Sequence, residues 1–492
     1  MGVYLDVGVV RIQEYLLRTS GSDDRQLRKR RGASVMVAEA TAPAVFADLG
    51  LEPNTESYHV EGVAHLRATG HGEAGQDEVG QDQAARARAL AGQAVARVRR
   101  ALPQAYLRVS WAVADTYAAA YPLLADARVN GSSGPAAGVL DAIPELREDP
   151  FTGRCRACGL AAAGDADQCP DCDLRDAKGR NVDGGAAFPT PRSRALGEVS
   201  ARAGQRLRSA ADLGELADLP RDQRAKRNHL ATVHADGNGV GRLFESITDR
   251  DVARRLSTAI DEAIHHAGAQ ALHGLSAWCD PGVLPAEVTV LAADDALITV
   301  PAPLGWVFVR DLIETFDRAM AETGAVADLM AEAERRGEPM ARPSLSAGVV
   351  FFHVKSPIET AIQAAAEAML LAKRTHPGRP AVGWADLTHP PATSAPCRDL
   401  AWFRARETLL DRFAGLPASR REQWARDLAE AQRRPVTDDE LMRFLNAEFR
   451  RLGDADLAEA GLTREELSMV VSIARWWSPP RRRDELPGSR PS

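Results

Sequence analysis

The sequence predicts an α+β protein built from two ferredoxin-like domains, a small zinc-binding insert and a C-terminal helical bundle. Three observations carry that expectation. Strand and helix signals alternate over residues 3–125 and again over 229–388. Between these stretches lies a Gly-, Asp- and Cys-rich segment with two Cys-x-x-Cys pairs. After residue 398 the strand signals stop, and capping-box signatures follow one another.

Composition sets the outer bounds. A chain of 492 residues is long enough for two to four domains, each with its own core. Charged residues at 26% and hydrophobic residues at 45% are ordinary for a globular protein. The net charge of −7 argues against a wholly basic nucleic-acid coat while leaving room for a local basic groove. No apolar run approaches the roughly 20 residues that span a bilayer, so no membrane partner is expected. The first residues, Met1-Gly-Val-Tyr-Leu-Asp6, carry an acid in their apolar run and no basic region, unlike a signal peptide. A cytoplasmic location is expected.

The first domain, 1–149, opens with a β-like run at Val3–Val10. Helical signals follow at Arg11–Arg18 and Ala33–Leu49, then a strand at Ser57–Ala68, a helix at Gln81–Leu102 and a strand at Tyr106–Ala114. Gly70–Asp82 reads as a mobile loop. Asp6 lies near the end of the first strand, but Val60-Glu61-Gly62-Val63 offers no acidic pair to join it. The domain therefore reads as a copy of the second that has lost its metal site.

In the insert, 150–186, Cys155-Arg-Ala-Cys158 and Cys169-Pro-Asp-Cys172 supply four thiolates. Each pair can grip one edge of a tetrahedron, which is the ligand set of a structural zinc. Four reduced, unligated thiols are the alternative. A connector at 187–228 carries a helix at Ala195–Ala211 and mixed signals over Leu213–Arg224.

The second domain, 229–390, repeats the theme. A strand at His229–Ala235 leads to a helix at Asp249–Leu272, a hairpin of Glu287–Ala293 and Ala296–Pro301, and a helix at Trp306–Arg336. A strand at Ser344–His353, a helix at Pro357–Arg374 and a strand at Ala381–Ala385 complete it. Pairing the first strand with the hairpin brings Asp236, Asp294 and Asp295 to one sheet edge. Converging carboxylates of this kind hold two Mg²⁺ (or Mn²⁺) ions against a triphosphate in polymerases and nucleotidyl cyclases. Gly237, Gly239 and Gly241, around Asn238, let backbone N–H groups approach phosphates with no Cβ in the way. Lys373, near a helix end, can reach a γ-phosphate, or can simply be a solvated lysine favoured by the helix dipole. An Asp-Asp turn alone, or Asp-Gly-x-Gly-x-Gly alone, is a weak signal; their order on one fold makes it more specific.

The C-terminal domain, 395–480, begins with a helix at Asp399–Leu416. Ser419-Arg-Arg-Glu422, Thr437-Asp-Asp-Glu440 and Thr463-Arg-Glu-Glu466 mark three further helix starts, giving a four-helix bundle. Its Arg-rich surface is either a solvated face or an RNA- or partner-binding one. The tail at 481–492 is expected to be disordered.

Several segments together resemble the large palm-domain subunit of type III CRISPR effector complexes and, more distantly, GGDEF-type nucleotide cyclases. They are Val10-Arg-Ile-Gln-Glu-Tyr-Leu16, Leu27-Arg-Lys-Arg-Arg-Gly-Ala-Ser34, the paired Cys-x-x-Cys, Ala235-Asp-Gly-Asn-Gly-Val-Gly241, Asp294-Asp295, Ser344-Leu-Ser-Ala-Gly348 and Ala372-Lys373. The resemblance implies two palm domains that bind two ATP molecules between them and make cyclic oligoadenylates in antiviral defence when target RNA is sensed. It implies metal ligation by Asp236, Asp294 and Asp295, and guide RNA and other effector subunits as partners. It also implies that the nuclease domain of many members is missing, since no His-Asp pair precedes the first palm. The chain departs from the family at Asn238, where many members carry a second acid, and at Ala292-Ala293, where two glycines are usual. Both departures favour a second reading, a scaffold that binds nucleotide or guide RNA without turnover. A free-standing second-messenger synthase is the third.

Overall fold

The computed structural model describes residues 1–18, 25–57, 62–69, 79–131, 136–144, 152–164, 167–180, 189–220, 228–245, 250–335, 341–388, 396–433 and 463–477, with a few single positions between them. The expected Gly70–Asp82 loop lies largely outside these residues, and the 481–492 tail entirely so. The expected α+β architecture is present: two separate sheets, a four-cysteine insert and a helical C-terminal region.

The first sheet contains β1 (Gly2–Val10), β2 (Leu51–Pro53), β3 (Val63–Ala68), β4 (Tyr106–Ala114) and β5 (Ala137–Ala142), in the antiparallel order β2-β3-β1-β4-β5. The second contains β6 (His229–Asn238), β7 (Glu287–Ala292), β8 (Asp295–Pro301), β9 (Ser344–His353), β10 (Ala381–Asp386) and β11 (Cys397–Asp399), in the order β11-β10-β9-β6-β8-β7. In each sheet the first strand sits between the third and the fourth, which is the ferredoxin-like order. The two sheets differ beyond that shared core. β5 runs antiparallel to β4, whereas β10 runs parallel to β9.

Several boundaries move. The helix expected from Ala33 starts at Arg25 and ends at Ala40, and Pro43 opens a 3-10 turn that carries the chain to Leu49. The connector helix is Pro191–Ala203, stopped by left-handed Gly204. The long helix expected over 306–336 is two, Gly305–Glu322 and Gly324–Arg335. Helix Ala418–Arg433 starts ahead of Ser419, so that box is not its cap. The Thr437–Glu440 and Thr463–Glu466 boxes do form, each with reciprocal hydrogen bonds. The helix that the Thr437 box would open falls mostly outside the described residues.

One apolar core runs through both domains and into the C-terminal helices. Helix Arg464–Trp477 docks on the second sheet through aromatic faces. Trp476 stacks on Phe351 at 5.1 Å, and Trp477 stacks on Phe403 at 6.3 Å. Their indole N–H groups donate to Asp386 and Asp411, so the large rings bury without orphaned donors.

The domains meet along helix Arg25–Ala40. Arg31 donates to the Glu287 carboxylate of β7, with 2.6 Å for the closest contact, and both side chains are nearly buried. Arg30 pairs with Glu359 at the start of helix Ile358–Thr375. On its other side the same helix crosses helix Pro170–Gly179 of the insert at backbone distance. A Cβ at Gly32 would collide with the Arg175 carbonyl, and one at Gly179 with the Arg28 carbonyl.

Candidate functional site

Strand β6 runs three residues beyond the expected end, so Asp236, Gly237 and Asn238 are strand residues rather than loop. Asp236 pairs across the sheet with Asp295 on one side and Ser346 on the other. Asp295 is the first residue of β8, which leaves Ala293 and Asp294 as the tip of the hairpin. The acids thus come to one sheet edge, as the sequence implies. Among the described residues, however, the only set of three or more ligand-type groups lying within 4.8 Å of one another is the four cysteines.

Each acid has a distinct environment. Asp236 accepts from the Lys373 ammonium, which also donates to the Gly237 carbonyl at 2.7 Å. Asp295 accepts from the Gln13 amide of the first domain and lies 3.1 Å from His234 Nε2. Burial pushes the Asp294 carboxyl up to about 6, and the negative charges of Asp236 and Asp295 add to this, while Lys373 opposes it. A buried carboxylate beside two others favours any added cation. The hard oxygen donors at this edge suit Mg²⁺ or Mn²⁺, on condition that Lys373 gives up Asp236.

The glycines divide by function. A Cβ at Gly237 would collide with the Asp294 carboxylate, so only glycine lets the hairpin tip close on β6. Gly239 has φ of +76°, which turns the chain into helix Val240–Glu245. Gly239 and Gly241 both face open space. Asn238 does not. It is buried, and its amide donates to Ser344, Ser346 and the Arg379 carbonyl, each at 3.0 Å, bracing the turn that follows the Lys373 helix.

Ala293 adopts φ of +53°, a conformation costly for any residue with a Cβ. Its N–H donates to Asp261 Oδ1 at 2.9 Å, so helix Arg250–Leu275 holds the strained tip in place. Gln13 entered the sequence reading only within the Val10–Leu16 segment, with no role assigned, and His234 and Asp261 carry no motif of their own. His234 alone had a visible signal, the polar alternation Thr232, His234, Asp236, Asn238 along one face of β6.

In the insert all four thiols are buried and form no disulfide. Cys158 and Cys169 sulfurs lie 3.8 Å apart. A tetrahedron with Zn–S bonds of about 2.3 Å has an edge of roughly 3.8 Å, so the cluster has the size of a zinc site. Hydrogen bonds among the thiols hold Cys158 well below the usual thiol range and push Cys169 up to about 12.

Residues 229–382 match the family model for the second palm domain of Cas10/Cmr2. No curated protein matches the chain. Among solved structures, the Csm1–Csm4 cassette in complex with cA3 is similar over 97% of this chain and 70% of that one, at 13% identity and a TM-score of 0.52. Csm1 of T. onnurineus is similar over the same shares, at 14% identity and a TM-score of 0.53. The cassette in complex with pppApApA gives 13% identity over 96% and 69% of the two chains, with a TM-score of 0.53. The match to a second palm domain covers 229–382, and the likeness to the solved structures extends over nearly the whole chain as a shared fold. Within it, the second palm belongs to the Cas10/Cmr2 family, and the fold of the chain as a whole is that of Csm1.

Proposed function

We propose that the chain is a metal-dependent nucleotidyltransferase that joins ATP into oligoadenylate-type second messengers, in partnership with guide RNA and other effector subunits. The observation that carries this reading is the meeting of Asp236, Asp294 and Asp295 beside the open Gly239–Gly241 turn. Similarity to structures solved with cA3 and pppApApA supports it.

Divalent cations bound there would polarise a ribose hydroxyl and screen the triphosphate. Asp236, Asp294 and Asp295 would hold them through their carboxylate oxygens. The hydroxyl oxygen forms a bond to the α-phosphorus, the bond from that phosphorus to the bridging oxygen breaks, and pyrophosphate leaves with its electron pair. The hydroxyl proton passes to solvent or to a site carboxylate. Backbone N–H groups of the Gly239–Gly241 turn receive phosphate oxygens. Lys373, once released from Asp236, would supply a positive charge for the terminal phosphate.

A second reading, a nucleotide-binding scaffold without turnover, draws on the strained Ala293 and on the partners already held by Asp236 and Asp295. One experiment separates the two. Pyrophosphate release and product mass are measured with each NTP and Mg²⁺ or Mn²⁺, with and without copurified RNA, for the wild type and for Asp236→Asn and Asp294→Asn. Turnover that falls about a hundredfold or more in either variant supports the transferase. Nucleotide binding with no pyrophosphate under any condition supports the scaffold.

A further inference from the structure

Helix Ile12–Leu17 has only six residues, too few to be stable alone. It follows Arg11, whose left-handed φ of +54° turns the chain out of β1. Its second residue, Gln13, reaches out of the first palm to Asp295 of the second, where the amide donates to Oδ2 while His234 faces Oδ1. Both oxygens of Asp295 are therefore engaged at the base of the hairpin whose tip is Asp294.

Two routes tie this helix to the cysteine cluster. Asp171, between Cys169 and Cys172, accepts from Tyr15 at 3.0 Å and from the fully buried Arg175 at 2.7 Å. Arg175 also donates to the Tyr15 carbonyl at 2.9 Å and lies over the Tyr15 ring. Burial pushes the Tyr15 hydroxyl upward in pKa, so it remains a donor. By the second route, Gln104 donates to Cys169 Sγ at 3.2 Å, and its carbonyl accepts from Arg18 just past the helix at 2.9 Å.

We propose that Gln13 is a positioning residue for the second palm's carboxylate site, supplied by the first palm and held in place by the cysteine-rich insert. It acts through Asp295, fixing the base of the turn that presents Asp294. The inference rests on the reading of that edge as a cation site. Groups that orient a metal-binding carboxylate typically govern about 10–100-fold in metal affinity.

The test uses the full chain with its zinc content assayed. Mn²⁺ affinity is followed through the electron paramagnetic resonance of the free ion, and melting temperatures are measured for Gln13→Leu, Asp295→Asn and the double variant. Expected are an approximately tenfold or greater loss of Mn²⁺ affinity in Gln13→Leu, a smaller loss in Tyr15→Phe, and a melting shift in the double variant smaller than the sum of the single shifts. Additive melting shifts overturn the inference whether or not the ion binds. So does wild-type Mn²⁺ affinity in Gln13→Leu. Failure of the cation reading itself looks different: Asp236→Asn and Asp294→Asn would leave Mn²⁺ affinity unchanged.

Discussion

Aligned by strand register, the two palms differ at very few decisive positions. In the second, one row across the sheet reads Asp295, Asp236, Ser346; in the first, the same row reads Val63, Gly8, Arg108. Asp6, the acid that the sequence put in the place of Asp236, sits two residues earlier, at the level of His234. It is buried there against His65 at 2.6 Å. Three residues beyond the row both chains turn left-handed, at Arg11 with φ of +54° and at Gly239 with φ of +76°. A helix cation approaches the strand acid in each palm, Arg128 at 3.9 Å from Asp6 and Lys373 on Asp236. One scaffold thus makes a carboxylate edge where Asp236 and Asp295 share a row, and a buried Asp6–His65 contact where the acid sits two residues earlier and Val63 stands at the level of Asp295. The first palm sends Gln13 to its neighbour's edge.

The comparison can be broken most severely at one of the ion pairs that join the palms. Arg31→Met leaves Glu287 buried without its partner, and such losses cost about 3–5 kcal/mol. Urea denaturation should show the loss, with Glu287→Gln milder because its amide still hydrogen-bonds.

A medium effect sharpens the contrast between buried acids. The Asp294 carboxyl is raised to about 6, so its proton is bound more tightly in the folded chain than in the unfolded one. Its penalty on stability is absent in acid and grows as pH rises through about 4 to 6, with full effect above that. Asp294→Asn should therefore raise the melting temperature at pH 8 and leave it nearly unchanged near pH 4. Mn²⁺ affinity in the wild type should fall as pH drops below about 6, as the proton competes for the same oxygens.

The smallest effect is at the hairpin tip. Ala293→Gly relieves the left-handed strain at the cost of a looser unfolded chain, for a net gain of up to about 1 kcal/mol. Calorimetry should register a rise of a few degrees at most.

Much of this site was legible in the sequence because its parts are local. Asp236 with its glycines, the Asp294–Asp295 pair and the two Cys-x-x-Cys pairs each sit within a short stretch of chain, where spacing carries the chemistry. What was missed depends on distance or brevity. β2 and β11 have three residues each, too few for alternation to show. Helix Tyr117–Asn130 is Ala-rich, with Pro122 inside it and little apolar patterning. The Arg28–Arg31 run looks like a solvated face, yet Arg30 is buried and Arg31 nearly so, because their acidic partners lie in the other palm. Asn238 reads as loop because β6 outruns its β-branched residues, and only the pairing with Ser344 shows it as strand.

Gln13 and Asp295 are separated by 282 positions along the chain. At about 5–20 residues per second of synthesis, the amide waits from roughly a quarter of a minute to a minute for its carboxylate to be made. The acids of Arg31 and Arg30 follow 256 and 329 positions later along the chain. A chain synthesised only as far as the hairpin carries Gln13, the four cysteines and Asp236, but neither Asp294 nor Asp295. The order of translation keeps Asp294 and Asp295 from joining Asp236 until Gln13 and the cysteines that brace its helix have been made.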